Sequence, residues 1–199
     1  MRLFIALDLP EAEKEVLFRA TAALRGAGLP VRWVEQESLH LTLKFLGWVR
    51  PDAVERIASA MAEAAAKTRP FDLPIGGLGA FPTRRRPRVI WLGVEATPSL
   101  RCLKHDLEWT LAPLGYERET RAFQPHITLG RAKHDAGAGE FRDVDALFAA
   151  TEYEALIPIT DVHLFRSHLS ADGARYERIA SSPLGVSAPG APVRERARG

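Results

Sequence analysis

Two stretches of this chain carry the same reactive pattern, His-x-Thr-x with an aliphatic residue at each x: His40-Leu41-Thr42-Leu43 and His126-Ile127-Thr128-Leu129. An unperturbed imidazole titrates at about 6.5, so near neutrality it can accept a proton as a base or deliver one as an acid. A threonine hydroxyl can donate to an oxygen on which negative charge grows. Brought into one cleft, two of each suit attack by water on an anionic phosphodiester. One neutral imidazole takes the proton of water, and the other, protonated, supplies a proton to the departing oxygen. A cyclic phosphate needs little more, because its ring holds the leaving oxygen in place and its strain favours opening.

The elements around these residues must place both pairs on a common cleft. Alternation of period two is the signature of a strand buried on one face, so His40 and Thr42 share a face, as do His126 and Thr128. Leu39, Leu41, Leu43, Ile127 and Leu129 then face the other way, toward helices. The spacing suggests a duplication: Arg2 to Arg88 and His40 to His126 are both separated by 86 residues. In the first half, residues 2–7 read as a buried strand. Pro10, Glu11 and Glu13 open a helix expected to run to about Arg25, with Gly26 as its stop. Residues 31–34 form a short strand, and Pro51 opens a second helix with an apolar stripe of Val54, Ile57, Ala58, Met61 and Ala65. An extended segment over 71–81 follows. The second half repeats the plan with a strand over 88–92 and a helix opened by Thr97-Pro98, with Leu100, Leu103, Leu107 and Leu111 as its stripe. A short helix over 140–150 comes next. Strands over 153–169 and 175–180 are expected to turn at Ala171-Asp172-Gly173, and a loose tail follows over 185–199.

With 46% hydrophobic and 26% charged residues among 199, the composition is that of a globular chain able to bury a substantial core. A net charge of +2 does not mark a bulk nucleic-acid binder, so an anionic partner must be met by a local basic patch. The single cysteine, Cys102, rules out an intrachain disulfide and is read as a packing residue. No stretch has the apolar length of a membrane span and no signal pattern opens the chain, so a cytoplasmic location is expected. Zinc binding by His40 and His126 would need further ligands at metal-site spacing, and none accompanies them. His105, His134, His163 and His168 lack such context and are read as structural or exposed. Lys44 shares the face of His40 in a regular strand, which would put it beside the cleft or in a surface ion pair. Arg84-Arg85-Arg86-Pro87-Arg88 is expected on a loop between lobes, solvated or touching phosphates. The tryptophans, Trp33, Trp48, Trp91 and Trp109, are expected mostly in the core.

The words MRLFIALDLP, LHLTLKFLG, RVIWLGV, FQPHITLGR and LFRSHLSADGARYERI resemble the 2H phosphoesterase superfamily, and within it the LigT-like RNA 2′,3′-cyclic phosphodiesterases, also called 2′-5′ RNA ligases. The resemblance covers residues 1–184 as one domain. It implies an α+β fold, bilobal and pseudo-twofold, with antiparallel sheets flanked by helices around a central cleft. It also implies hydrolysis of a 2′,3′-cyclic phosphate to a 2′-phosphate, with no cofactor and no metal. In that family the second-motif histidine, here His126, is the base and the first, here His40, the acid. Thr42 and Thr128 would bind the phosphate, and Arg131 would help hold the substrate. The odd offset of Arg131 from His126 turns it off the catalytic face unless the strand bends or ends at Gly130. The expected partner is an RNA carrying a 2′,3′-cyclic phosphate end or a small cyclic nucleotide, with no membrane, and the expected state is a monomer. Other readings of the same cleft are an ADP-ribose cyclic phosphate as substrate, 2′-5′ ligation by the reverse reaction, or an RNA-end binding module without turnover.

Overall fold

In the computed structural model the described residues are 1–170 and 173–185. They form strands β1 (Arg2–Asp8), β2 (Val31–Trp33), β3 (His40–Trp48), β4 (Phe71–Thr83), β5 (Arg86–Val94), β6 (His126–Ala132), β7 (Glu154–Ile159), β8 (Asp161–Ser170) and β9 (Gly173–Pro183). The helices are α1 (Glu11–Ala20), α2 (Ala22–Gly26), α3 (Val54–Ala66), α4 (Pro98–Leu111) and α5 (Val144–Ala150). The expected α+β fold is observed, with every strand pairing antiparallel.

Strand order is β7-β4-β5-β6-β3-β1-β8-β9, with β2 also pairing β6. The order is symmetric about the boundary between β6 and β3: β5 answers β1, β4 answers β8, and β7 answers β9. At that boundary the ladder joins through the pair Leu41↔Ile127. Beyond it β3 leaves, and β2 takes the edge of β6 from Gly130 to Ala132. Two four-stranded lobes thus meet at the residues lying between each His and its Thr.

The buried sides of the strands, including Leu3, Ile5, Leu7, Leu41, Leu43, Ile90, Leu92, Ile127 and Leu129, form one core with the helices. The expected stripes supply it: Ile57, Met61 and Ala65 from α3, and Leu100, Leu103, Leu107 and Leu111 from α4. On α4 the Thr97 hydroxyl accepts from the Leu100 N–H, and proline occupies the first turn. The opposite face of the sheet carries a small separate cluster of Phe4, Ala6 and Phe165.

Several expectations need correction. The helix expected over 11–25 is divided at Thr21, whose hydroxyl donates to the carbonyls of Leu17 (2.9 Å) and Phe18 (3.2 Å). Such back-bonding competes with the helical ladder and bends it. The strand expected over 153–169 is interrupted at Thr160: β7 pairs β4 in one lobe, and β8 pairs β1 in the other. The basic run 84–88 is the tip and return of the β4–β5 hairpin rather than an inter-lobe loop, and Arg84 pairs with Asp145 at 3.1 Å. Trp48 and Trp109 are exposed instead of buried, and so is Cys102. At the hairpin expected over 171–173, Gly173 pairs with Ser170, while Ala171 and Asp172 lie outside the described residues. Of the expected tail only Gly185 is described, its N–H bonded to the carbonyls of Ala65 (3.0 Å) and Thr68 (2.8 Å).

Candidate active site

On the sheet face opposite the helices lies a cavity of about 770 Å³, and His40, Thr42, His126, Thr128 and Arg131 all line it. All five expected residues thus line one cavity, the histidines and threonines by strand alternation and Arg131 by a break in it. Within each strand the geometry is repeated. The His40 Nδ1–H donates to the Ser38 carbonyl at 2.8 Å, and the His126 Nδ1–H donates to the Gln124 carbonyl at 2.8 Å. A carbonyl can only accept, so each neutral ring carries its proton on Nδ1 and leaves Nε2 as the basic atom. At His40, Nε2 lies 3.0 Å from the Thr42 hydroxyl, which donates to it when the ring is neutral.

Beyond each threonine both strands make the same irregularity. In the β1–β3 ladder Ala6 pairs with Thr42 and Ile5 with Lys44, so Leu43 is an extra residue. In the β5–β6 ladder Trp91 pairs with Thr128 and Ile90 with Gly130, so Leu129 is extra. A bulge of one residue reverses which face the following side chains take. It turns Arg131 onto the cavity face, which a regular strand would not do. For the same reason Lys44 does not border the cleft: it is buried on the helix side, 2.5 Å from Glu108. Phe45 takes the cavity position instead. Phe45 and Arg131 are thus equivalent residues, each five past its histidine.

The two imidazoles have different surroundings. His40 packs on Phe4 with ring centroids 4.9 Å apart and meets Tyr176 edge-on at 5.0 Å. His126 meets Phe81 edge-on at 5.1 Å and lies 6.3 Å from Trp91. Across the ladder His40 faces Asp8, whereas His126 faces Gly93. Removal from water lowers the His40 pKa to about 4, and the charges of Lys14 and Arg131 act in the same direction. The Ser38 carbonyl and Asp8 oppose the shift without cancelling it. Asp8 is itself held by Lys14 at 2.8 Å and by Arg178 at 2.5 Å.

Sequence reasoning missed the aromatic lining (Phe4, Phe45, Phe81 and Tyr176) and two further arginines, Arg2 and Arg32. The recurrence of position five in both motifs was a usable signal for Phe45. Arg32 could be found only through the pairing of β2 with β6. One wall of the cavity, with Glu119, Phe123 and Gln124, comes from the loop after α4. Buried ion pairs hold that loop. Glu108 bonds Lys44 and Lys104 and accepts from the Glu119 N–H at 3.2 Å, while Lys44 donates to the Glu117 carbonyl at 2.6 Å.

The sequence and the two-lobed antiparallel fold match those of known phosphoesterases. The family model described as LigT like Phosphoesterase matches residues 7–91. A protein of Methanothermobacter thermautotrophicus named RNA 2′,3′-cyclic phosphodiesterase is 32% identical over 176 residues, covering 88% of this chain and 95% of that one. One of the same name from Geobacillus stearothermophilus is 35% identical across 91% of this chain, which spans 56% of its length. Among solved structures, TT0787 of Thermus thermophilus superposes with a TM-score of 0.74 at 28% identity, covering 92% of this chain and 98% of that one. E. coli LigT complexed with 3′-AMP gives 0.70 at 26% identity, covering 92% and 97%. The chain belongs to the LigT-like phosphoesterase family. Among the described residues no helix is long and apolar enough to cross a membrane.

Proposed function

We propose that this protein hydrolyses RNA 2′,3′-cyclic phosphate ends to 2′-phosphates, with His40 and His126 as the two proton carriers. The observation that carries the reading is the repeated Nδ1–carbonyl anchoring, which aims an Nε2 atom from each lobe at one cavity. Water attacks phosphorus as one Nε2 takes its proton. The P–O3′ bond breaks, and the other Nε2 gives its proton to O3′. The product is a 2′-phosphate with a free 3′-hydroxyl, and exchange with solvent resets both rings. Thr42, Thr128 and Arg131 bind the non-bridging oxygens and the chain around them. A 5′-hydroxyl in place of water would give a 2′-5′ linkage by the same transfers. An RNA-end binder without turnover would have no use for two proton carriers.

The family assignment makes His126 the base and His40 the acid. The lowered pKa of His40 by itself favours the opposite order, so the acid role requires that the substrate anion return a proton to it. A substrate whose leaving group needs no proton decides between them. It should restore much of the activity of His40→Ala but not of His126→Ala, and rescue of His126→Ala would reverse the roles.

The reaction itself is tested with a synthetic oligoribonucleotide ending in a 2′,3′-cyclic phosphate, in the presence of a chelator. Conversion to a 2′-phosphate end is expected, since imidazoles and hydroxyls supply both proton transfer and charge stabilisation. No turnover, a 3′-phosphate product, or loss on chelation with rescue by one divalent ion would overturn the proposal.

A further inference from the structure

We infer that Arg32, paired across the sheet with Arg131, binds the phosphodiester one nucleotide upstream of the cyclic end and so selects polymer ends over cyclic mononucleotides. The inference rests on the reaction proposed above and names a determinant within that same site.

Arg32 and Arg131 are directly opposite partners in the β2–β6 ladder, and both line the cavity. Like charges set directly opposite destabilise a sheet. Among the described residues neither guanidinium has a carboxylate within ion-pair distance. The molecule nevertheless fixes this arrangement firmly. The Val34 N–H donates to the Leu129 carbonyl at 2.8 Å, and the Lys133 N–H to the Pro30 carbonyl at 2.8 Å. Arg25 secures the Val34 carbonyl at 2.8 Å. Gly130 allows the close approach of β2, since a Cβ there would stand 2.5 Å from Val31 and 2.8 Å from Trp33. Val31 is buried in the core and Trp33 packs against it, so alternation leaves Arg32 on the cavity face. Two unneutralised cations held side by side form a site for an anion, and guanidinium forks suit phosphate oxygens.

The position of that anion follows from the symmetry. Arg131 and Phe45 are equivalent residues of the two lobes, so they lie on opposite sides of the histidine pair. A 2′,3′-cyclic phosphate is fused to the ribose between C1′, which carries the base, and C4′, which carries the 5′ phosphodiester. With the reacting phosphorus between the histidines, base and upstream phosphate diverge. At the other end exposed Phe45 beside Phe4 offers ring faces that suit the base, with the single cation Arg2 beyond them. The end with the directly opposed arginine pair suits the phosphodiester. On β5 the partners of Thr128 and Arg131 are Trp91 and Val89, two residues apart. The arginine pair thus begins about 7 Å along the strand from the phosphate-binding hydroxyl, where the next phosphate of an extended strand can be met.

The test compares Arg32→Ala with wild type on an oligoribonucleotide 2′,3′-cyclic phosphate and on a nucleoside 2′,3′-cyclic phosphate, with binding of the matching 2′-phosphate products measured alongside. The loss in kcat/KM on the oligonucleotide should exceed that on the mononucleotide by about tenfold or more, the scale of one charge-assisted contact. Arg32→Lys should recover part of it, and Arg32→Ala should flatten the salt dependence of oligonucleotide binding by about one charge. Equal losses on both substrates, or an unchanged oligonucleotide, would overturn the inference. If wild type turns over neither substrate, the reaction proposed above fails on its own, and the binding arm still decides the role of Arg32. There, preferential loss of oligonucleotide 2′-phosphate affinity supports it and unchanged affinity refutes it.

Discussion

Each imidazole of the two motifs is defined by what lies on its two nitrogens. Nδ1 is committed to a carbonyl two residues upstream in both motifs, so the chemistry is left to Nε2. The difference between the two rings is environmental. Burial against Phe4 and Tyr176 lowers the His40 pKa to about 4 and so favours its neutral form. Because this value lies below that of an unfolded histidine, about 6.5, the neutral ring contributes stability above that pH. The contribution is lost as pH falls toward 4. An anionic phosphate beside the ring opposes the shift, because an adjacent negative charge favours imidazolium. Binding of a nucleoside 2′-phosphate near pH 6 should therefore draw in a proton. Calorimetry in buffers of different ionisation enthalpy would register it, and affinity should weaken as pH rises. Absence of uptake would remove His40 as the acid.

The strands show which part of the site was legible in advance. The His-x-Thr alternation placed both pairs on one face correctly, because up to the threonines the strands are regular. Past the threonines the extra residues Leu43 and Leu129 reverse the faces, and nothing in an aliphatic residue announces a bulge. This is why regular alternation puts Lys44 on the face of His40, which the structure does not, and why Arg131 needs a bend to reach the cavity. Once on the helix side, Lys44 joins Lys104 around Glu108, the three side chains being 3%, 8% and 9% exposed. Burial alone would raise the Glu108 pKa, but the bonds and charges of Lys104 and Lys44 outweigh it and hold the group below the ordinary carboxylate value. Its contribution to stability is present above that ordinary value and is lost as pH falls through the lowered one. Glu108→Ala leaves the buried Lys44 ammonium without a carboxylate and Lys104 with Glu119 alone, and should cost about 3–5 kcal/mol, measured by urea unfolding at neutral pH. The carboxylate also holds the Glu119 N–H, so the cavity wall at Phe123 should loosen and KM should rise. A loss below about 1 kcal/mol would mean that the pair is no more than a surface contact.

At the scale of the molecule, the 86-residue offset foretold the two halves, since a duplicated plan keeps its spacing where strands and helices are equivalent. It could not foretell that the chain crosses between lobes at Thr160. Residues 153–169 read as one apolar strand, and only the partners β4 and β1 divide it. The exposure of Trp48 was equally hidden: its neighbour across the ladder is Arg2, on the cavity face. The consequence of this architecture is that the proposed reaction belongs to neither half. His40 comes from one lobe and His126 from the other, and the lobes join through Leu41↔Ile127 between them. The most direct test is a double-mutant cycle on hydrolysis of the cyclic-phosphate oligonucleotide, using His40→Ala, His126→Ala and the pair. Each single change should lower kcat by roughly 10²-fold or more. The double change should cost far less than the product of the two, since each proton carrier works only with the other present. Multiplicative losses, or either single variant turning over like wild type, would contradict the account.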